Sequence, residues 1–178
     1  VSRSVPKINS KTENLKQKKN TIEPLINICL ACPSSVKFII SIGTIEEYGM
    51  QSVPFIETMK PKPVSSYAKA KYKSFLKLKS ICKKKKINYL WLRPSLMFGK
   101  HMNEKRFFML IINSIKKNKK LRINNPNSIR DHLYVNDFCR ILILLLKNHN
   151  IVQNQILNIS NENWISNTNL INIFKKII

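Results

Sequence analysis

The chain has 178 residues, 43% of them hydrophobic, and 32 Lys and Arg against 9 Asp and Glu give a formal net charge of +23. That size supports one domain with a real core. The longest apolar run, Ile141 to Leu146, is far short of a membrane span, and neither a secretory signal nor a transit peptide is read.

In chain order, residues 11 to 31 read as an amphipathic helix interrupted near Pro24. The apolar run 36 to 42 reads as a buried strand of a parallel sheet. It is followed by a Pro-rich loop, 43 to 63, long enough to be functional. Residues 64 to 86 form one long helix with Ala70, Phe75, Leu78 and Cys82 facing inward, and 87 to 93 a second strand, so this stretch is a βαβ unit. A helix near 104 to 118 follows, then short strands near 120 to 123 and at 132 to 135. The helix 137 to 148 is so apolar that it is expected to be buried. Strand 155 to 159 and a short amphipathic helix from Asn167, with Leu170, Ile171, Phe174 and Ile178 on one face, close the chain.

Cys29 and Cys32 have the spacing of a redox motif, but they sit at the C-terminal end of a helix, where the dipole raises a thiol's pKa instead of lowering it. No further ligands stand at zinc spacing. Buried, reduced thiols are the better reading for Cys29, Cys32, Cys82 and Cys139, and they fit a cytoplasmic protein. The histidines 101, 132 and 149 are isolated. The lysines are spread through every element, and the densest run, Lys83 to Lys86, ends a helix, where cations complement the dipole. A nucleic-acid-binding module is therefore ranked behind an enzyme whose basic surface attracts an anionic substrate.

The enzyme reading begins with Tyr67 and Lys71. Four residues apart on a helix, they share a face. An ammonium beside a phenol favours the phenolate and brings it toward use as a general base. Thr44 follows one strand of the βαβ unit and Ser95 the next, at the end of the sheet where such folds bind ligands.

Four segments then match one family in order and spacing: Thr44-Ile45-Glu46-Glu47-Tyr48-Gly49; Tyr67 to Lys71; Leu92-Arg93-Pro94 through Gly99; and Arg130-Asp131 through Val135 and Asp137. The chain resembles the extended short-chain dehydrogenases, specifically the nucleotide-sugar epimerases and dehydratases, over nearly its whole length. The resemblance implies an α/β fold, a partial Rossmann-type doubly wound parallel sheet with part of a small C-terminal substrate-binding region. Residues 1 to 99 would be the later half of the dinucleotide-binding sheet, and 100 to 178 the substrate-binding region and returning elements. Within this resemblance Val1 to Pro6 matches the loop after the family's fourth strand, and Thr12 to Cys32 the next helix.

The resemblance also implies NAD or NADP as cofactor, a nucleotide sugar as substrate, and a homodimer in the full-length protein. Tyr67 would be the base, and Lys71 would lower its pKa and bond the nicotinamide ribose. Thr44 would bond the reacting hydroxyl, Pro94 and Ser95 would border the nicotinamide, and Arg130 would meet the diphosphate, with Asp131 as an alternative partner for it. Glu46 stands near the place of an acid that dehydratases use, although adjacent Glu47 makes chance a fair explanation. Leu96 replaces an Asn that often contacts substrate. The family's glycine-rich cofactor turn has no counterpart, because Gly43, Gly49 and Gly99 are too far apart to form one. The chain is therefore read as an internal portion of a longer protein. A catalytically inactive remnant of such an enzyme is the competing reading.

Overall fold

The computed structural model describes residues 10–51 and 54–178; the loop expected at Val1 to Pro6 lies outside them. Helix α1 (Lys11–Gln17) starts at Ser10, whose hydroxyl accepts from the Glu13 amide at 3.1 Å. It runs without a break through a π-helical turn (Lys18–Ile22) into α2 (Glu23–Ala31). The expected interruption is this wider turn, just ahead of Pro24. A proline has no N–H and its ring crowds the carbonyl four residues back. α2 ends at Cys32, extended at φ −56° and ψ 124° as befits a residue before proline. The Lys85 ammonium donates to the Leu30 carbonyl and, at 2.9 Å, to that of Cys32.

Strand β1 (Phe38–Ile42) leads to a short 3-10 turn (Ile45–Tyr48) within the expected loop. Helix α3 (Ser66–Lys85) is capped by Ser65, which accepts from the Ala68 amide at 3.1 Å, and it stops at Lys86 in the left-handed conformation. Strands β2 (Asn88–Pro94) and β3 (Leu96–Phe98), helix α4 (Phe107–Lys116), strand β4 (Ile129–Tyr134), helix α5 (Val135–Lys147), strands β5 (Gln155–Ile159) and β6 (Trp164–Ser166) and helix α6 (Asn167–Ile177) complete the order.

Strands β1, β2 and β5 form a parallel sheet in that order, with Ile42 beside Leu92 and Pro94 beside Ile159. Alternation along β2 divides the core in two. Tyr89 and Trp91 pack with Cys29 of α2 and with Phe75, Leu78 and Cys82 of α3, while Leu90 and Leu92 pack with Leu133, Phe138 and Ile159. Helices therefore cover both faces, the α/β Rossmann-type arrangement. A second sheet, β3-β4-β6, pairs β3 parallel and β6 antiparallel to β4.

Several expectations need correction. No strand forms at 120 to 123; β3 and β6, too short to show a periodicity, flank β4 instead. Helix α5 is not buried throughout. Phe138 is, and Ile141, Leu142 and Leu145 pack on the sheet, but Ile143 and Leu144 are 55% and 60% exposed because a helix offers the sheet only one side. Strand β1, by contrast, is half-buried as expected of a strand in a partial sheet, having one strand neighbour among the described residues. Of the four free thiols, Cys29 and Cys82 are buried, Cys32 partly so, and Cys139 is exposed. No helix among the described residues is long and apolar enough to cross a membrane.

Burial, then the neighbouring Cys29 and Cys32, pushes the Cys82 thiol from 9.0 up to about 11. A group that holds its proton longer folded than unfolded stabilises fully below the unfolded pKa and loses that contribution as pH rises through the folded one. Stability should therefore fall by about 2–3 kcal/mol between pH ~9 and ~11 through this thiol. Chemical denaturation across that range should show a visibly flatter pH dependence for Cys82→Ala.

Candidate functional site

The site forms at the carboxyl end of the parallel sheet. Gly43 donates its N–H to the Leu92 carbonyl at 2.7 Å, holding the exit of β1 against β2. Thr44 then caps the 3-10 turn: its hydroxyl accepts from the Glu46 amide at 3.3 Å, and its own amide donates to Glu47 Oε1 at 3.1 Å. This reciprocal capping box satisfies donors that would otherwise be orphaned at the strand's end.

Under the turn lies a buried polar cluster. Glu47 and Arg93 are 0% and 1% exposed, and Arg93 Nε donates to Glu47 Oε2 at 2.9 Å. Trp91 Nε1 donates to both carboxylate oxygens, at 3.1 and 3.3 Å. Arg93 Nη1 donates to the Tyr48 hydroxyl at 2.9 Å, which donates in turn to Asn158 Oδ1 at 2.9 Å, so the chain of bonds crosses from β1's exit through β2 to β5. Asn158 Nδ2 donates to the Phe55 carbonyl and the Asn158 amide to Glu57, strapping the loop after the turn over the sheet end. Burial lifts the Glu47 pKa above the usual carboxylate range, while the Arg93 guanidinium, the Thr44 amide and the Trp91 indole pull it down. We hold that the carboxylate form prevails at neutral pH, because the Thr44 amide, the Trp91 indole and Arg93 Nε all donate to its oxygens and the guanidinium charge stands beside it.

Helix α3 begins beside this turn. Ser65 donates its hydroxyl to Glu46 Oε2 at 3.3 Å, tying the residue two after Thr44 to the residue two before Tyr67. Tyr67 is 38% exposed. One turn on, Lys71 is half-buried and donates to the Ile42 carbonyl at 2.9 Å, with its ammonium 5.8 Å from the centre of the Tyr67 ring. Burial lowers the Lys71 pKa and the Glu47 carboxylate opposes that. Thr44, Glu46, Tyr67 and Lys71 are thus gathered around the exit of β1.

Pro94 and Ser95 lie at the end of the adjacent strand. The Ser95 amide is spent on the Ile159 carbonyl at 2.9 Å, but its hydroxyl is buried with no partner among the described residues. Arg130 stands apart in β4, exposed, donating to the Ile129 carbonyl at 2.7 Å. Asp131 is not its partner: both of that carboxylate's oxygens accept backbone amides, from Asn161 at 3.0 Å and Asn163 at 3.2 Å. No group of three or more metal-binding side chains is assembled among the described residues.

Sequence reasoning missed the buried cluster and used Glu47 only to weaken the match at Glu46, giving it no role of its own. A signal was present. Arg93 stands in an apolar strand with no polar neighbour, where a cation requires a carboxylate, and the chain has only 9 acidic residues to supply one.

The model of the NAD dependent epimerase/dehydratase family matches residues 7–160, and the chain belongs to that family. Among solved structures, a UDP-glucuronic acid 4-epimerase from Bacillus cereus in complex with UDP-glucuronic acid and NAD is 24% identical with a TM-score of 0.83, over 90% of this chain and 52% of that one. A UDP-N-acetylglucosamine 4-epimerase from Methanobrevibacter ruminantium M1 in complex with UDP-N-acetylmuramic acid is 24% identical with a TM-score of 0.86, over 99% and 58%. A dTDP-glucose 4,6-dehydratase from Streptomyces venezuelae with NAD bound is 19% identical with a TM-score of 0.78, over 89% and 50%. The chain spans between 50% and 58% of the length of these structures. No curated protein matches its sequence.

Gly43 permits the close approach on which the cluster depends. A Cβ there would lie 2.3 Å from both Glu47 Oε1 and Trp91 Nε1. Gly43→Ala should therefore cost about 1–3 kcal/mol, the range for overpacking a filled interior. Chemical denaturation measures this, and near-UV circular dichroism should show altered packing around Trp91.

Proposed function

We propose that the chain is the catalytic-base portion of an NAD- or NADP-dependent nucleotide-sugar epimerase or dehydratase. The observation that carries this reading is the Lys71 ammonium, bonded to the end of β1 and 5.8 Å from the Tyr67 ring centre. The positive charge stabilises the phenolate of Tyr67, which takes the proton of a sugar hydroxyl. Thr44, beside the start of α3, orients that hydroxyl. The nicotinamide, when bound, supplies the hydride acceptor. The unpartnered Ser95 hydroxyl and the two protons of Lys71 not donated to Ile42 are groups suited to holding it, with Pro94 forming a rigid border.

Arg130, exposed in β4, is free to reach an anionic substrate, and its planar fork of donors suits a diphosphate. Glu46 is the candidate acid for a dehydratase step, although its bond to Ser65 makes a structural role its first one. In this reading residues 1 to 99 belong to the dinucleotide-binding sheet and 100 to 178 to the substrate side, in a cytoplasmic enzyme that pairs as a homodimer.

Two outcomes test this. In a complete enzyme carrying this sequence, Tyr67→Phe should lower kcat by at least about 10²–10⁴-fold, the contribution of a general acid–base group, with NAD affinity retained; unchanged turnover would remove Tyr67 from the role. The 178-residue chain alone should bind NAD only weakly by calorimetry, since its three glycines form no pyrophosphate-binding turn. Micromolar affinity would overturn that expectation.

A further inference from the structure

We propose that Glu47 is a positioning residue of this site: anchored by Arg93 and Trp91, its carboxylate fixes the turn that carries Thr44 and stands as the counter-charge that keeps the Lys71 ammonium protonated. Its catalytic meaning rests on the proposed role of Tyr67, but the coupling itself does not.

The geometry supplies the argument. Lys71 approaches the exit of β1 from α3 and bonds the Ile42 carbonyl at 2.9 Å. Glu47 approaches the next residue, its Oε1 lying 2.3 Å from where a side chain at Gly43 would begin. Ammonium and carboxylate therefore flank the same two-residue stretch. Glu47 is fully buried and Lys71 half-buried, so the charges interact more strongly than two at the surface would. Three protein donors hold the carboxylate in place: the Thr44 amide, the Trp91 indole and the Arg93 guanidinium. It cannot swing out to solvent, so its effect on Lys71 is permanent.

The other ionisable groups on elements packed against α3 are committed elsewhere. Glu46 on the 3-10 turn accepts from Ser65. Arg93 on β2 stands with Glu47. Glu13 of α1 accepts from Gln17, and Lys18 of the π turn pairs with Glu23 of α2 at 3.8 Å. Cys29 of α2 and Tyr89 of β2 act on, or are acted on by, groups near Cys82 at the far end of the helix. On α3 itself, Tyr67 lies one turn before Lys71, with Lys69 and Tyr72 to either side. Glu47 is the charge that offsets the effect of burial on Lys71. Without it, a half-buried ammonium would shed its proton more readily, and a neutral amine no longer stabilises a phenolate.

The test is a titration of Lys71 in the folded chain, without nucleotide or sugar. The side-chain signals of protein labelled with 13C at lysine Cε are followed with pH, and Lys71 is assigned by its loss in Lys71→Met. Glu47→Gln should lower the Lys71 midpoint by about one unit, a tenfold loss of proton affinity, and Glu47→Asp, which keeps the charge, should restore most of it. Glu47→Gln leaves Arg93 buried without a counter-ion and could unfold the chain. The double variant Glu47→Gln/Arg93→Met removes both charges, and measured against Arg93→Met, in which the carboxylate alone remains, it should show the same fall. An unchanged Lys71 midpoint in whichever of these two variants is folded overturns the proposal. A Lys71 shift in these variants together with unchanged turnover of Tyr67→Phe in the complete enzyme would sustain the coupling and refute Tyr67 as the base, so the two ideas fail separately.

Discussion

The bond between Arg93 and Glu47 is the constraint around which the sheet's active end is arranged. A buried ion pair is not stabilising merely because it exists; taking both charges from water costs more than their attraction returns unless further donors and acceptors complete the shell. Here the carboxylate collects Trp91 and the Thr44 amide, and the guanidinium collects the Tyr48 hydroxyl and lies 4.6 Å from the centre of its ring, while its Nη2 stays buried with no partner among the described residues. The groups that satisfy the pair belong to the exit of β1, to β2 and, through Asn158, to β5. Satisfying the charges and fixing the relative positions of the three strand ends are the same event.

This accounts for where the candidate chemistry sits. Thr44 could occupy many conformations if its turn were solvated. Its amide is committed to Glu47 and its hydroxyl to the Glu46 amide, so its position is inherited from the buried pair below. Tyr67 and Lys71 come from a different element, held by a serine cap and by apolar packing of Phe75, Leu78 and Cys82. Two independently stabilised elements meet at one edge, joined by Ser65 to Glu46 and by Lys71 to Ile42.

How much of this was legible in the sequence depended on range. Helix α3 and strand β5 were readable from their own residues: Ala70, Phe75, Leu78 and Cys82 repeat at helical spacing, and Gln155 to Ile159 is a short, mostly apolar run. The family motifs, being local strings, located Thr44, Tyr67 and Lys71. What escaped was set by partners far along the chain. Glu47 looks like any loop carboxylate until Arg93, 46 residues on, is placed against it. The exposed flank of α5 was misread for the opposite reason: Ile141 to Leu146 is apolar without a break, and composition does not say which sides a neighbour covers. β3 and β6, three residues each, exist only because β4 lies between them.

The wide turn before Pro24 has a consequence for how the first helix tolerates change. Each residue added to or removed from an α-helix rotates everything beyond it by about 100°. The π turn over Lys18–Ile22 accommodates one residue more than a regular turn would, so the faces of α1 and α2 are out of phase by that angle. Leu25 and Cys29 meet α3 and the sheet, while Leu15 is left 61% exposed. The turn works as a phase adjuster between a segment that needs no buried face and one that does. Length changes ahead of Pro24 can be absorbed by tightening or widening it, whereas the same change after Pro24 would rotate Cys29 out of the core.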